Sequence, residues 1–339
     1  AMEGCLDRLA ELVGISGWDI RKQNVIHPGE VWGPGQIMDD GCLGAEECLD
    51  TIKPAYDKAI SEGKAVGLGL GLKNSGLGNG FREVTRAVIH FRNDGFVEVR
   101  HGWTEMGQGV HTVALQVAVE ELGIDPATIR VIVDTTRQLG FGQTTGSRGT
   151  LMAAASVREA CLKAIEGGRQ VGVDYMGEHV VDWTQHLGEP GVINPTIHSA
   201  FGYAAQLVVM NKETQEIEKV VAVHDVGKAV NPTLCEGQIE GSVHMGLGYA
   251  LTEDFPSDEN GFPTNMTLRS LGIIRPKDMP PIDVIMVECP QPRSPYGIKG
   301  VGEIGLVPTA PAVAAALHAA DGIWRTRLPM KPKTSDTAE

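Results

Sequence analysis

Basic residues are in short supply: 29 Lys and Arg face 43 Asp and Glu, the net charge is −14, and the cations are dispersed. A nucleic-acid groove needs a basic stripe, so that class of partner is excluded. The six cysteines (Cys5, Cys42, Cys48, Cys161, Cys235 and Cys289) form no CxxC pair. They read as reduced, mostly buried thiols, not as a metal or cluster site. No apolar run approaches the roughly 20 residues of a membrane span. The opening AMEGCLDRLAELVG is acidic and interrupted, unlike a secretory leader, so a cytoplasmic location is expected. His101, His111 and His244 form no HExxH arrangement and read as satisfied or exposed imidazoles. Without a G-x-S-x-G elbow, His224-Asp225 reads as a strand end and not as part of a triad. Met106 and Met245 read as packing residues.

Glycine, by contrast, is abundant: 43 of the 339 residues, against an ordinary share of about 7%. With 42% hydrophobic and 21% charged residues, the chain has the composition of a folded protein with a real core. Leu6, Leu9, Ala10 and Val13 share one face of a helix that Ser16-Gly17 should end. A Gly/Pro-rich loop follows, then a second helix over 45–61 that contains Pro54. Apolar residues alternate with glycine over 66–72, as in a strand that another backbone or a ligand approaches closely. Alternation around Asp94-Gly95 predicts a hairpin, and strands over 205–210 and 218–224 flank a second turn. The region 167–195 has weak periodicity and reads as a connection.

One local device occurs four times: a glycine-rich turn that enters a helix. It is seen in TEMGQGVHTVALQVAVEELG (104–123), TTGSRGTLMAAASVREACLKAI (144–165), NPTLCEGQIEGSVHMGLGYAL (231–251) and GIKGVGEIGLVPTAPAVAAAL (297–317). The first turn of a helix leaves N–H groups unpaired and carries partial positive charge, so it can hold anionic oxygens without a basic side chain. Glycine lets that backbone come close to a ligand. Gln108 and Gln238 add neutral amide donors. Four such turns in an acidic chain point to an anionic organic cofactor, whose identity the turns alone leave open.

Taken in order, the four motifs resemble the molybdopterin-binding domain of the xanthine dehydrogenase/aldehyde oxidase family. The third motif and LRSLGIIRPKDMPPIDV resemble its bacterial selenium-dependent xanthine dehydrogenase-like branch. The resemblance implies that Gly107, Gln108, Gly109 and Thr112 approach the pterin and the molybdenum oxygens. It further implies that Gly146, Ser147, Arg148 and Gly149 lie against the pterin, that Gln238 is a second contact with Gly302 nearby, and that Glu303 is the catalytic base. The cofactor implied is molybdopterin, in its cytosine dinucleotide form, with the metal held by the pterin dithiolene and by no protein side chain. 2Fe-2S clusters and FAD are expected only on domains or partner chains absent here, because the chain resembles a carboxy-terminal fragment.

Glu303 stands among glycines and aliphatic residues with only Lys299 as a charged neighbour in the motif. A glutamate near its usual value of about 4.3 is too acidic to be an effective base at neutral pH, and desolvation raises that value. Val301, Ile304 and Leu306 are expected to supply the apolar setting. The fold expected is α+β, with two mixed α/β subdomains and the cofactor site between them. The division is a leading helical segment (1–64), a first subdomain (65–170), a connection (171–195), a second subdomain (196–330) and a tail (331–339). The activity implied is hydroxylation of a purine, xanthine- or hypoxanthine-like, or of a related N-heterocycle. The partners implied are iron–sulfur and flavin domains or subunits, with a second copy of the chain as a further candidate and neither nucleic acid nor membrane. The alternative is a cofactor-binding or structural module that is inactive alone. Lys73 to Gly80 reads as a plain loop, the wall of a substrate channel being the other reading.

Overall fold

A computed structural model describes residues 1–140 and 144–330; the expected tail, 331–339, lies outside them. In chain order the elements are α1 (Met2–Val13), α2 (Gly17–Gln23), α3 (Leu43–Ser61), β1 (Ala65–Ser75), β2 (Glu83–Phe91), β3 (Val97–His101), α4 (Val110–Leu122), β4 (Ile129–Val133), α5 (Gly149–Glu166), β5 (Asp174–Val181), β6 (Ala200–Met210), β7 (Ile217–Asp225), α6 (Pro232–Leu251), β8 (Ile282–Val287) and α7 (Thr309–Asp321). They build two four-stranded mixed sheets, β1-β6-β7-β8 and β4-β3-β2-β5. This is the expected α+β architecture of two mixed halves.

Both expected hairpins form: β2 pairs antiparallel with β3, and β6 with β7. β6 is apolar along almost its whole length because both its faces are covered. Tyr203, Ala205 and Leu207 pack towards α3, while Val208 and Met210 pack with Ile239 and Val243 of α6 and with Ala312 and Val313 of α7. The glycines of β1 explain how α7 comes so close: a Cβ on Gly67 would lie 1.9 Å from Ala312 O, and one on Gly69 2.3 Å from Pro308 O. The close approach expected at this strand is therefore that of a helix backbone. On the second sheet Ala87, Ile89, Val97 and Val99 face Val113 and Val117 of α4 and Ala154 and Val157 of α5. The opposite face carries ion pairs such as Arg100 with Glu98 at 2.6 Å.

Several expectations need correction. Ser16 does not end a helix; its side chain accepts from Asp19 N–H in a capping box that opens α2, and Gly14 closes α1. α1 also faces the other way. Only Ala10 of the expected apolar face is buried, while Leu9 and Val13 are exposed. The inner face is taken by Glu3 and Asp7, which pair with the buried Arg21 at 2.9 and 2.7 Å. Pro54 does not break α3, because burial of Cys48, Leu49, Ile52 and Tyr56 holds the helix across the lost hydrogen bond. Residues 171–195 are more than a connection: β5 lies among them and pairs with β2. β1 joins β6, so sheet membership crosses the expected boundary between the halves. Residues 304–321 are long and apolar enough to cross a membrane by composition, but Ala312, Val313, Ala316 and Leu317 there are fully buried, as in a core helix.

Candidate cofactor-binding site

Three of the glycine-rich turns and, in place of the third motif's turn, the first two turns of helix α6, all far apart in sequence, converge on one cavity of about 280 Å³. Gln108 comes from the turn before α4, Ser147, Arg148 and Gly149 from the start of α5, Gln238 from α6, and Gly302 and Glu303 from the segment before α7. Gly107, Gly109, Thr112 and Gly146 belong to the same turns without lining the cavity. Turn two and turn four abut directly: a Cβ on Gly300 would lie 2.2 Å from Ser147 O, and Gly300 N–H donates to Ser75 Oγ at 2.8 Å. Gln238 lies in the second turn of α6 and not in the entering turn, because the helix already starts at Pro232, capped by Asn231.

The setting of Glu303 differs from the expected apolar one. Its side chain is 47% exposed, its Oε2 accepts from Ser147 Oγ at 2.8 Å, and Lys73 Nζ lies 3.2 Å from the same oxygen. Ile304 and Gly305 beneath it take the buried positions instead. Lys73 belongs to β1 and not to a loop. Its sequence separation from Glu303 gave no local signal for the pairing. Arg148 turns its side chain inward, where it pairs with buried Glu83 at 2.8 Å.

The first turn holds a further correction. Gln108 closes its own loop: Oε1 accepts from Met106 N–H at 2.5 Å and Nε2 donates to Thr104 O at 2.7 Å. Glu105 receives the N–H groups of Gly107, Gly109 and His111 at 2.9, 2.8 and 3.2 Å. The anion expected at the start of α4 is thus a carboxylate of the chain itself. Burial pushes the Glu105 carboxyl up, but these three amides outweigh it and hold the group below its ordinary value. Glu105 was not singled out from the sequence, although an acid two residues before a Gly-x-Gly turn was the available signal.

Behind the cavity a buried polar network anchors the fourth turn. Lys299, fully buried, pairs with Asp225 and donates to Gly41 O at 2.6 Å. Burial pushes the Asp225 carboxyl up against the pull of Lys299 and of the Gly227 and Cys289 amides. Gln206 donates to Gly305 O at 2.7 Å and accepts from Thr309 Oγ1 at 2.7 Å. His224-Asp225 does end a strand, β7. The other histidines divide. His244 Nε2 bonds Ile274 O at 2.7 Å, whereas the buried Nε2 atoms of His101 and His111 have no partner among the described residues. Met106 and Met245 are 69% and 56% exposed, so neither is a packing residue. Among the described residues no group of three or more His, Cys, Asp or Glu side chains is placed to hold a metal ion.

With two mixed halves and one cavity between three glycine-rich turns and the start of α6, the chain has the form of a cofactor-binding domain. Residues 49–185 and 169–280 match the molybdopterin cofactor-binding domain family, and the chain belongs to that family. It is 27% identical to the aldehyde oxidoreductase of Megalodesulfovibrio gigas, covering 98% of this chain and 39% of that one. It is 26% identical to a probable xanthine dehydrogenase subunit of Bacillus subtilis, over 97% of this chain and 50% of the relative. The crystal structure of the Desulfovibrio desulfuricans aldehyde oxidoreductase superposes with a TM-score of 0.86 at 27% identity, covering 97% of this chain and 39% of that one. The chain thus spans about half or less of these relatives' length.

The walls suit such a cofactor. The N-cap of α5 makes no side-chain capping hydrogen bond, and Gly149 and Thr150 of its first turn line the cavity, where a helix start favours anionic groups. A Cβ on Gly149 would meet nothing within 4 Å, which leaves the approach open. Gln238 lines the cavity, and so does Lys228, whose ammonium pairs with Glu288 at 3.2 Å.

Proposed function

We propose that this chain is the part of a molybdenum hydroxylase that holds molybdopterin and supplies Glu303 as general base for oxidation of a purine, or of a related N-heterocycle. The observation that carries this reading is the convergence of three separate glycine-rich turns and the first turns of α6 on one cavity that Glu303 lines. When bound, the cofactor supplies the molybdenum centre that takes the substrate's electrons. Gln108 stands on one side of it, Ser147, Arg148 and Gly149 on a second, and Gln238 and Gly302 on a third, while Gly107, Gly109, Thr112 and Gly146 shape the segments that carry them. The start of α5 and Lys228, whose pair with Glu288 a phosphate would have to share, suit the phosphates of the cytosine dinucleotide form. Iron–sulfur and flavin groups belong to other domains or subunits.

Glu303 accepts a hydrogen bond at Oε2 from Ser147 Oγ at 2.8 Å. The exclusion of water that would strengthen it as a base must come from whatever covers the cavity. In the complete, molybdenum-loaded enzyme, Glu303→Gln should leave metal content unchanged and lower turnover by about 10²-fold or more. Near-normal turnover in that variant ends the assignment. A second reading, a module inactive on its own, is favoured by the self-closed Gln108 turn and by the fraction of its relatives that the chain spans. Metal analysis and mass spectrometry of released pterin on the purified chain decide between them. Stoichiometric molybdenum, with oxidation of a purine by an artificial acceptor, refutes the inert module.

A further inference from the structure

Resting on the reading of Glu303 as a base, we propose that Ser147 and Lys73 are positioning residues that occupy its Oε2 and so make Oε1 the oxygen that takes the proton. Ser147 Oγ donates to Oε2 at 2.8 Å and accepts the Glu303 N–H at 3.1 Å, gripping both ends of the residue. Lys73 Nζ lies 3.2 Å from the same oxygen, and Asn74 Oδ1 accepts from it at 2.9 Å, which fixes where the ammonium sits. An oxygen that already accepts from a hydroxyl and faces an ammonium at 3.2 Å has little tendency to take another proton. Both contacts are made at Oε2.

Three elements meet to make this clamp: β1 brings Lys73, the turn into α5 brings Ser147, and the turn before α7 brings Glu303. Ser147 is held at φ 50°, a left-handed conformation that a residue with a Cβ adopts only at a cost. Glycine would relieve that strain and would lose the hydroxyl. With side chains 24% and 47% exposed, Lys73 and Glu303 form a solvent-screened pair that adds little to stability. Its consequence is geometric.

Two readouts test this. In the 339-residue chain, Ser147→Gly should keep the fold while the Glu303 amide exchanges its hydrogen about ten-fold faster or more, since its acceptor is gone. Lys73→Met should leave that amide as protected as in the wild type. In the complete loaded enzyme, Ser147→Gly and Lys73→Met should each lower kcat about ten-fold with KM nearly unchanged, and Lys73→Arg should restore most of it. An unchanged Glu303 amide or an unchanged kcat in Ser147→Gly overturns the proposal, as does an unchanged kcat in Lys73→Met. Full turnover in Glu303→Gln, with the amide of Ser147→Gly still deprotected, sinks the base reading separately and leaves the contact standing.

Discussion

At Gly67 a single hydrogen atom decides whether α7 can lie on β1. A methyl group there would overlap Ala312 O, a backbone atom that cannot step aside without moving the helix. Gly67→Ala should therefore cost about 2 kcal/mol or more in urea unfolding, in the upper range for overpacking. Gly4 is the contrasting case, inside α1 with nothing within 4 Å of a would-be Cβ. Gly4→Ala should gain about 0.5–1 kcal/mol by the ordinary helix preference. Equal effects of the two changes would show that close approach is not what Gly67 provides. The alternation of glycine in β1 was legible as a request for closeness. What came close was not, because the partner lies more than 240 residues away in the chain.

α1 shows how an element can be read correctly and placed wrongly. Its apolar periodicity marks a helix, and the helix is there. The periodicity also argued for an inward apolar face, yet Met2, Leu9, Leu12 and Val13 are 50–79% exposed while Glu3 and Asp7 face Arg21. The buried guanidinium demands paired carboxylates, and that demand outweighs burial of the leucines. Accordingly Leu12→Asp should leave the unfolding free energy of this chain within about 0.5 kcal/mol of wild type. Glu3→Ala, which strips Arg21 of a partner and Leu70 N–H of its acceptor, should cost about 3 kcal/mol. A large loss on Leu12→Asp would mean that the outward face is packed after all.

Over the whole molecule, acid should loosen both halves together. His101 sits in the sheet of β2 to β5 and His224 in that of β6 to β8, and both are fully buried. Burial pushes His224 down to about 3; burial, helped by His111 and opposed by Glu105, pushes His101 down to about 4. The unfolded chain takes up these protons near pH 6.5, before the folded chain does. The stability each neutral imidazole contributes is thus complete above that pH and is lost as the pH falls towards 4, by about 3 kcal/mol for His101. Urea midpoints measured from pH 7 to 4 should fall steadily, and His224→Gln should flatten the decline. A flat wild-type profile would mean that the imidazoles are wet.

The sequence by itself determined the first helix, the helix over 45–61, both hairpins, the glycine-rich motifs and, through them, the family. Those features depend on neighbours within a few positions, where periodicity, turn residues and helix starts act. Only the tertiary structure decided that the turns share one cavity, that Glu105 fills the start of α4, and that Glu303 is half exposed between Ser147 and Lys73. Burial and ion pairing belong to groups brought together by packing, as with Ser147 and Glu303 across 156 residues of chain, and no local pattern carries that information.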